Sequence, residues 1–154
     1  MSDGGVGGRT NFEILDRWIE ILNTSEFDKM EEVLDPDFVQ EIPQSGERVR
    51  GVENMRQVMS HYPGGWQLAS VARLGVTDVA ARYVMTPTFN LVKMEGIGDA
   101  IGAYLRIKYP DGSDWYWASF VTFRKGRILK EVDFFAAPFE APSWRADWVE
   151  KLDR

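Results

Sequence analysis

The fold is decided by residues 100–136, which read AIGAYLRIKYPDGSDWYWASFVTFRKGRILKEVDFFA. Apolar and polar residues alternate along most of this stretch, which is typical of half-buried β-strands. Three strands are predicted, at Ala100–Tyr109, Trp115–Arg124 and Ile128–Ala136, with turns at residues 110–113 and at Lys125-Gly126. Consecutive strands joined by tight turns form an antiparallel meander.

Upstream of this meander, one further strand is predicted at Phe89–Met94, followed by a turn at residues 96–99. Residues 66–87 show no sustained periodicity of either kind. Because Pro63-Gly64-Gly65 and Gly75 can serve as hinges, we expect residues 63–87 to form a mobile loop that gates a pocket.

The N-terminal part of the chain predicts three helices and a short strand. Thr10 and Glu13 form a capping box for the first helix, Ser25 caps the second, and Gly51 precedes the third. Asp35-Pro36 ends the second helix, because proline cannot continue the hydrogen-bond ladder. The residues on the three apolar stripes are Leu15, Trp18, Ile19 and Leu22; Phe27, Met30 and Leu34; and Val52, Met55, Met59 and Tyr62.

The remaining segments complete the predicted architecture. Phe38–Ile42 reads as a strand closed by Pro43, and Ser143 caps a last helix that carries Trp144, Trp148 and Leu152. Helices packed on one face of an antiparallel sheet give an α+β domain of two layers. We therefore predict a flexible glycine-rich tail at residues 1–9 and one domain at residues 10–154, since this length suits a single core.

Composition excludes several classes of function. The formal net charge is −6 and no basic face is evident, so we expect neither nucleic acid nor a membrane as a partner. The chain has no cysteine, which excludes disulfides and thiolate chemistry and fits a cytoplasmic location. Its only histidine is His61, so we expect neither a catalytic triad nor a histidine-rich metal site.

Three stretches, residues 22–28, 36–51 and 126–135, resemble the nuclear-transport-factor-two-like superfamily. Its SnoaL-like members include polyketide cyclases, ketosteroid isomerase and limonene epoxide hydrolase, and residues 135–145 resemble an uncharacterised bacterial subgroup. The resemblance implies a cone-shaped, curved antiparallel sheet packed on three N-terminal helices, with a short C-terminal helix. It also implies one deep apolar pocket for a small molecule.

The resemblance implies two catalytic carboxyl groups. Asp133 matches the aspartate that acts as acid or base on the last strand, and Glu41 matches a polar residue that holds water in the epoxide hydrolase. Strand alternation leaves the direction of Asp133 open. If Ile128 and Lys130 face inward, Asp133 is a solvated charge, and a slip of one residue would turn Glu41 outward.

The same comparison argues against ketosteroid isomerisation by the known route. Ile42 stands where the isomerase has its proton-moving aspartate, Trp18 replaces its tyrosine, and Ser119 replaces its acid donor. Trp117 shares a face with Ser119. We expect these residues and three others to line the pocket as substrate-binding residues. The full set is Trp18, Ile42, Met59, Trp117, Ser119, Glu131 and Phe135.

Three functions stay open. The first is a cofactor-free and metal-free enzyme for cyclisation, isomerisation or hydration, with Asp133 as acid or base. The second is a non-catalytic ligand-binding or dimeric interaction domain. An epoxide hydrolase is the third, although Lys108 stands where a second aspartate would follow Arg106. We also expect a homodimer, because Tyr116, Phe120, Val132 and Phe134 would leave an apolar patch on the outer face of the sheet.

Overall fold

A computed structural model describes residues 8–62, 88–109 and 112–152, and for residues 88–93 it describes the backbone alone. The gating loop predicted at residues 63–87 lies outside these ranges. The elements in chain order are α1 (Asn11–Thr24), a first 3₁₀ helix (Phe27–Glu32), β1 (Leu34–Ile42), β2 (Glu47–Arg50), α2 (Val52–Ser60), β3 (Thr88–Ile97), β4 (Ala100–Lys108), β5 (Asp114–Arg124), β6 (Arg127–Ala136) and a second 3₁₀ helix (Ser143–Trp148).

The strands form one six-stranded sheet in the order β2-β1-β6-β5-β4-β3. Strands β3 to β6 make the predicted antiparallel meander. The α+β class with a curved, unclosed sheet is confirmed. One strand pair differs from the prediction, because β1 runs parallel to β6, with Gln40 opposite Glu131. This pairing joins the N-terminal third of the chain to the last strand of the meander.

The turn between β5 and β6 is the one that the sequence predicts. Lys125 and Gly126 have φ angles of 51° and 70°, which are the left-handed values that a two-residue hairpin of type I′ requires. The turn between β3 and β4 is shorter than predicted, since β3 continues to Ile97 and only Gly98 and Asp99 connect the strands. Both tight turns fix the register of their hairpins.

Helix α1 begins with the predicted capping box. The Thr10 hydroxyl accepts a hydrogen bond from the Glu13 backbone N–H at 3.2 Å, and the Thr10 N–H donates to Glu13 Oε2 at 2.7 Å. Ser25, predicted to open a second helix, instead ends α1 with a left-handed φ of 57°. Only six residues then form a helix before β1 starts at Leu34, and this short segment takes the 3₁₀ form.

The core lies between the helices and the inner face of the sheet. Helix α1 buries its apolar stripe, including Trp18 and Leu22, while α2 buries Met55. The C-terminal segment differs from its prediction, because Trp144 and Trp148 are more than 70% exposed and no buried stripe supports an α-helix there. No helix in the described parts of the chain is long and apolar enough to cross a membrane.

A β-bulge in β6 settles which of its side chains face inward. Thr122 pairs with Lys130, but the next residue, Phe123, pairs with Ile128, so Leu129 is an extra residue on β6. Strict alternation would place Ile128 and Glu131 on opposite faces. The extra residue puts both on the buried side, and Asp133 follows Glu131 there. The bulge therefore removes the alternative in which Asp133 faces solvent.

Candidate functional site

An apolar cavity of about 240 Å³ lies between the helices and the inner face of the sheet. Its described lining residues are Trp18, Leu22, Gln40, Ile42, Met55, Val58, Met59, Tyr62, Ile107, Tyr109, Trp117, Glu131 and Phe135. This set contains no lysine, arginine or histidine. Among the described lining residues, Glu131 is the one that carries a carboxyl group. The others are apolar or aromatic, apart from the amide of Gln40.

Two carboxyl groups lie side by side on the inner face of β6. Glu131 is 1% exposed and Asp133 is 0% exposed, and both face inward because they are two residues apart on one strand. Within residues 8–62, 88–109 and 112–152, no basic side chain forms an ion pair with either one. Burying two acids without a cation is costly while both are charged.

Glu131 has few polar neighbours. Gln40 lies opposite it across the parallel β1–β6 pair. Neither carboxyl oxygen accepts a well-aligned hydrogen bond from the described residues, although the Trp18 indole N–H is close enough to favour the charged form. Burial raises the pKa of Glu131 well above its usual range, and the nearby charge of Asp133 raises it further.

Asp133 has more donors around it. Gln40 Nε2 donates a hydrogen bond of 2.7 Å to Asp133 Oδ2, and Ser119 lies opposite Asp133 on β5. Burial raises the pKa of Asp133, but the Ser119 hydroxyl, the Trp117 indole N–H and the Gln40 amide all oppose that rise. The two acids are therefore unequal. Asp133 accepts a hydrogen bond from Gln40, whereas Glu131 accepts no well-aligned hydrogen bond from the described residues.

The family of this domain follows from its sequence. A model of the SnoaL-like domain matches residues 15–131. The chain belongs to the SnoaL-like family. No curated protein matches it significantly. Among solved structures, it is similar to an NTF-2-like protein of unknown function from Burkholderia xenovorans LB400, with 28% identity over 93% of this chain and 95% of that chain, and a TM-score of 0.71.

Two more distant structures share the fold. A candidate ketosteroid isomerase from Kribbella flavida DSM 17836 is 17% identical over 94% of this chain and 90% of its own, with a TM-score of 0.73. IdmH, a candidate polyketide cyclase from Streptomyces antibioticus, is 14% identical over 82% of this chain and 92% of its own, with a TM-score of 0.57. At these identities, the SnoaL-like chain shares an architecture with both proteins and nothing finer.

Most of the residues expected to bind substrate line the cavity of this SnoaL-like domain. Six of them line it, namely Trp18, Ile42, Met59, Trp117, Glu131 and Phe135. Asp133 and Ser119 are buried beside the cavity without lining it. Gln40 connects the Asp133 carboxyl to the wall, because it lines the cavity and donates a hydrogen bond to Asp133.

Glu41 requires a correction. It lies on the opposite side of β1 from Gln40, and Glu41 bridges Arg48 at 2.8 Å and Lys130 at 3.0 Å on the outer face of the sheet. The Lys130 ammonium lowers the pKa of Glu41, and Arg48 acts in the same direction. The expected water-holding role has no support in this geometry, because a side chain paired on the outer face cannot reach the cavity.

Arg106 also lies away from the cavity. It occupies the outer face of β4 and pairs with Asp114 at 3.8 Å, whereas its neighbours Leu105 and Ile107 face inward. The aspartate–arginine–aspartate set of the epoxide hydrolase is therefore not assembled among the described residues. Nor do those residues contain a group of histidine, aspartate and glutamate side chains that could hold a metal ion.

Three polar lining residues were not among the predicted site residues. Gln40 lies between Phe38 and Ile42 on the inward face of β1. A single amide side chain between apolar residues on one strand face could have identified Gln40 as a site residue from the sequence. The Tyr62 and Tyr109 hydroxyls lie 3.2 Å apart, and burial raises the pKa of Tyr62. Nothing in the sequence indicates this contact, because the two tyrosines are 47 residues apart.

Proposed function

We propose that this SnoaL-like protein is a cofactor-independent enzyme that moves protons on a small, largely apolar molecule, in a cyclisation, an isomerisation or a hydration. The observation that carries this proposal is the buried pair of Glu131 and Asp133 beside an apolar cavity. A buried acid with a raised pKa keeps its proton to a higher pH than an exposed acid does, and can donate it. Its conjugate base can take a proton back, so the pair supports both halves of the chemistry.

A purely structural role explains the pair less well. Two apolar side chains of similar size would pack in these positions without the cost of burying carboxyl groups. Neither acid neutralises a buried cation in the described chain, which is the usual structural reason for such burial. Acids with raised pKa values beside a cavity are typical of catalytic sites.

The cavity favours a neutral, unsaturated substrate. Its aromatic residues Trp18, Trp117 and Phe135 offer flat surfaces, and the Trp117 and Phe135 rings stack with centroids 5.6 Å apart. An anionic substrate would meet the charge on Asp133 and no basic side chain among the described lining residues. The candidate isomerase and cyclase with the same fold support this reaction class by analogy of architecture alone.

The proposal is tested in two stages. Polyketide-like, steroid-like and epoxide compounds are first screened for quenching of tryptophan fluorescence, since Trp18 and Trp117 line the cavity. Compounds that bind are then assayed for turnover with the parent and with the double variant Glu131→Gln/Asp133→Asn. We expect the double variant to bind the compound and to lose turnover by about 10²–10⁴-fold, the usual contribution of acid–base groups.

The matched control is Glu47→Gln, which removes an exposed carboxyl group on β2. It should leave turnover unchanged. Full turnover in the double variant would refute the acid–base function. If compounds bind tightly but none is converted, a non-catalytic ligand-binding domain becomes the better description.

A further inference from the structure

We infer that Glu131 is the catalytic residue that meets the substrate, and that Asp133 is a positioning residue that acts through it. This inference rests on the proposed acid–base function and assigns its two roles to particular side chains. It reverses the assignment implied by the family resemblance, in which Asp133 is the acid or base and Glu131 only lines the pocket.

Access to the cavity separates the two carboxyl groups. Glu131 forms part of the cavity wall together with Trp18 and Gln40, whereas Asp133 does not reach the wall. The Gln40 side chain lines the cavity and donates its hydrogen bond of 2.7 Å to Asp133 Oδ2. A molecule bound in the cavity therefore meets Glu131 directly, whereas it meets Asp133 only through side chains of the wall such as Gln40.

The hydrogen-bond donors decide which acid carries the negative charge. The Gln40 amide donates a hydrogen bond to Asp133 and so favours its ionised form. The Ser119 hydroxyl and the Trp117 indole act in the same direction from nearby, without a well-aligned hydrogen bond to the Asp133 carboxyl. Glu131 has only the Trp18 indole near it among the described donors. Two like charges this close and this deeply buried are unfavourable together. The charge accordingly settles on Asp133 and the proton on Glu131, in the position that a substrate can reach.

The other groups that face Glu131 do not change the placement of the charge on Asp133 and of the proton on Glu131. Trp18 from α1, Gln40 from β1 and Val121 from β5 carry no charge. The hydroxyl groups of Tyr62, which follows α2, and Tyr109, which follows β4, lie 3.2 Å apart in the lining of the same cavity. In the parts of the chain that the structure describes, Asp133 is thus the charged group that sets the proton affinity of Glu131.

The reaction step balances without any further reactant. The O–H bond of the Glu131 carboxyl breaks, and its proton forms a new O–H bond at a carbonyl or epoxide oxygen of the substrate. The resulting Glu131 carboxylate then accepts a C–H proton of the same molecule in an isomerisation or cyclisation, or a proton of the attacking water in a hydration. Asp133 stays ionised, orients Gln40 and raises the proton affinity of Glu131.

Carbon-13 NMR of the intact parent protein tests where the proton lies without needing a substrate. One sample carries the label in the side-chain carboxyl of glutamate and another in that of aspartate. At pH 7 we expect one glutamate carboxyl in the protonated form and every aspartate ionised. The protonated signal should vanish in Glu131→Gln, or in Glu131→Met if the first variant does not fold. A protonated aspartate with every glutamate ionised would overturn the inference.

Kinetics test the division of roles once a substrate is known. We expect Glu131→Gln to lower kcat by about 10²–10⁴-fold at every pH. Asp133→Asn should keep measurable turnover and shift the pH at which the acid loses its proton to a lower value, because the neighbouring charge is gone. The reverse pattern, with Asp133→Asn inactive and Glu131→Gln merely shifted, would refute the assignment of roles. Full activity in the double variant would instead refute the acid–base function itself.

Discussion

The burial of the Glu131 carboxyl group makes the stability of the fold depend on pH. Its pKa is raised in the folded state, so between the ordinary glutamate pKa and this raised value the folded protein holds a proton that the unfolded chain releases. The folded state binds more protons, and stability therefore falls as pH rises through this window. Below the ordinary pKa of about 4.3, both states are protonated and the cost disappears.

We predict that Glu131→Gln gains stability relative to the parent as pH rises, because glutamine fills the same space and never ionises. The difference in Tm should grow as pH rises above the ordinary glutamate pKa of about 4.3 and should vanish below it. Thermal unfolding followed by circular dichroism at a series of pH values measures it. An equal change in Tm at every pH would show that Glu131 keeps an ordinary pKa.

At the scale of elements, an ion pair connects β1 to the end of β5. Arg124 donates two hydrogen bonds to the buried carboxylate of Asp35, one of them from Nε to Oδ2 at 3.0 Å, and also contacts exposed Asp37 at 2.6 Å. The Arg124 guanidinium lowers the pKa of Asp35. A lowered carboxyl pKa contributes stability above the ordinary aspartate pKa, and this contribution is lost as pH falls.

We predict that Asp35→Asn lowers the free energy of unfolding by about 1–2 kcal/mol at pH 7, less than a fully buried pair would, because Arg124 is partly exposed. The loss should shrink near pH 3, where the carboxylate is protonated in the unfolded chain. Urea unfolding at both pH values measures it. Asp37→Asn, which removes an exposed partner of the same arginine, should cost less, and an equal cost would contradict this account.

At the scale of the whole molecule, the outer face of the sheet carries an aromatic patch formed by Tyr104, Tyr116, Phe120 and Phe134. Phe120 is 59% exposed, and its ring meets Phe134 edge to face at 6.2 Å, while Tyr104 stacks on Tyr116. Val132, also on this face, lies opposite Phe120. Contiguous exposed apolar surface of this kind usually marks an interface between proteins.

We predict that the protein is a homodimer joined through this patch, with twice the 17.6 kDa mass of the chain in light scattering at micromolar concentration. Phe120→Glu should shift the mass to that of the monomer, because it buries a charge in the interface. Phe139→Glu, at a 79% exposed phenylalanine outside the patch, is the control and should leave the dimer intact. A monomer mass for the parent would refute the interface.

The local elements could be predicted from the sequence because short-range chemistry determines them. The capping box of Thr10 and Glu13 and the hairpin turn at Lys125-Gly126 each depend on residues within a few positions of one another. The last three strands follow from alternation. The second helix and the C-terminal helix were less predictable, because the length of a helix depends on what it packs against.

Most of the residues that line the pocket could be predicted from the sequence, but the positions of its carboxyl groups could not. Apolar stripes on the helices and strands identified six lining residues by pattern and resemblance. The direction of Glu41 was not readable, since one residue of register turns a side chain from the cavity to the outer face. Asp133 was singled out by resemblance, and its separation from the cavity by Gln40 depends on a contact between residues 93 positions apart.

The sequence by itself therefore determined α1, α2, the antiparallel meander, the family and the apolar character of one pocket. Only the tertiary structure decided that β1 joins β6 in parallel and that the bulge at Leu129 turns both acids inward. It also decided that Glu131, rather than Asp133, forms part of the cavity wall. The physical reason is that burial, and with it the proton affinity of a carboxyl group, depends on neighbours that only the folded chain brings together.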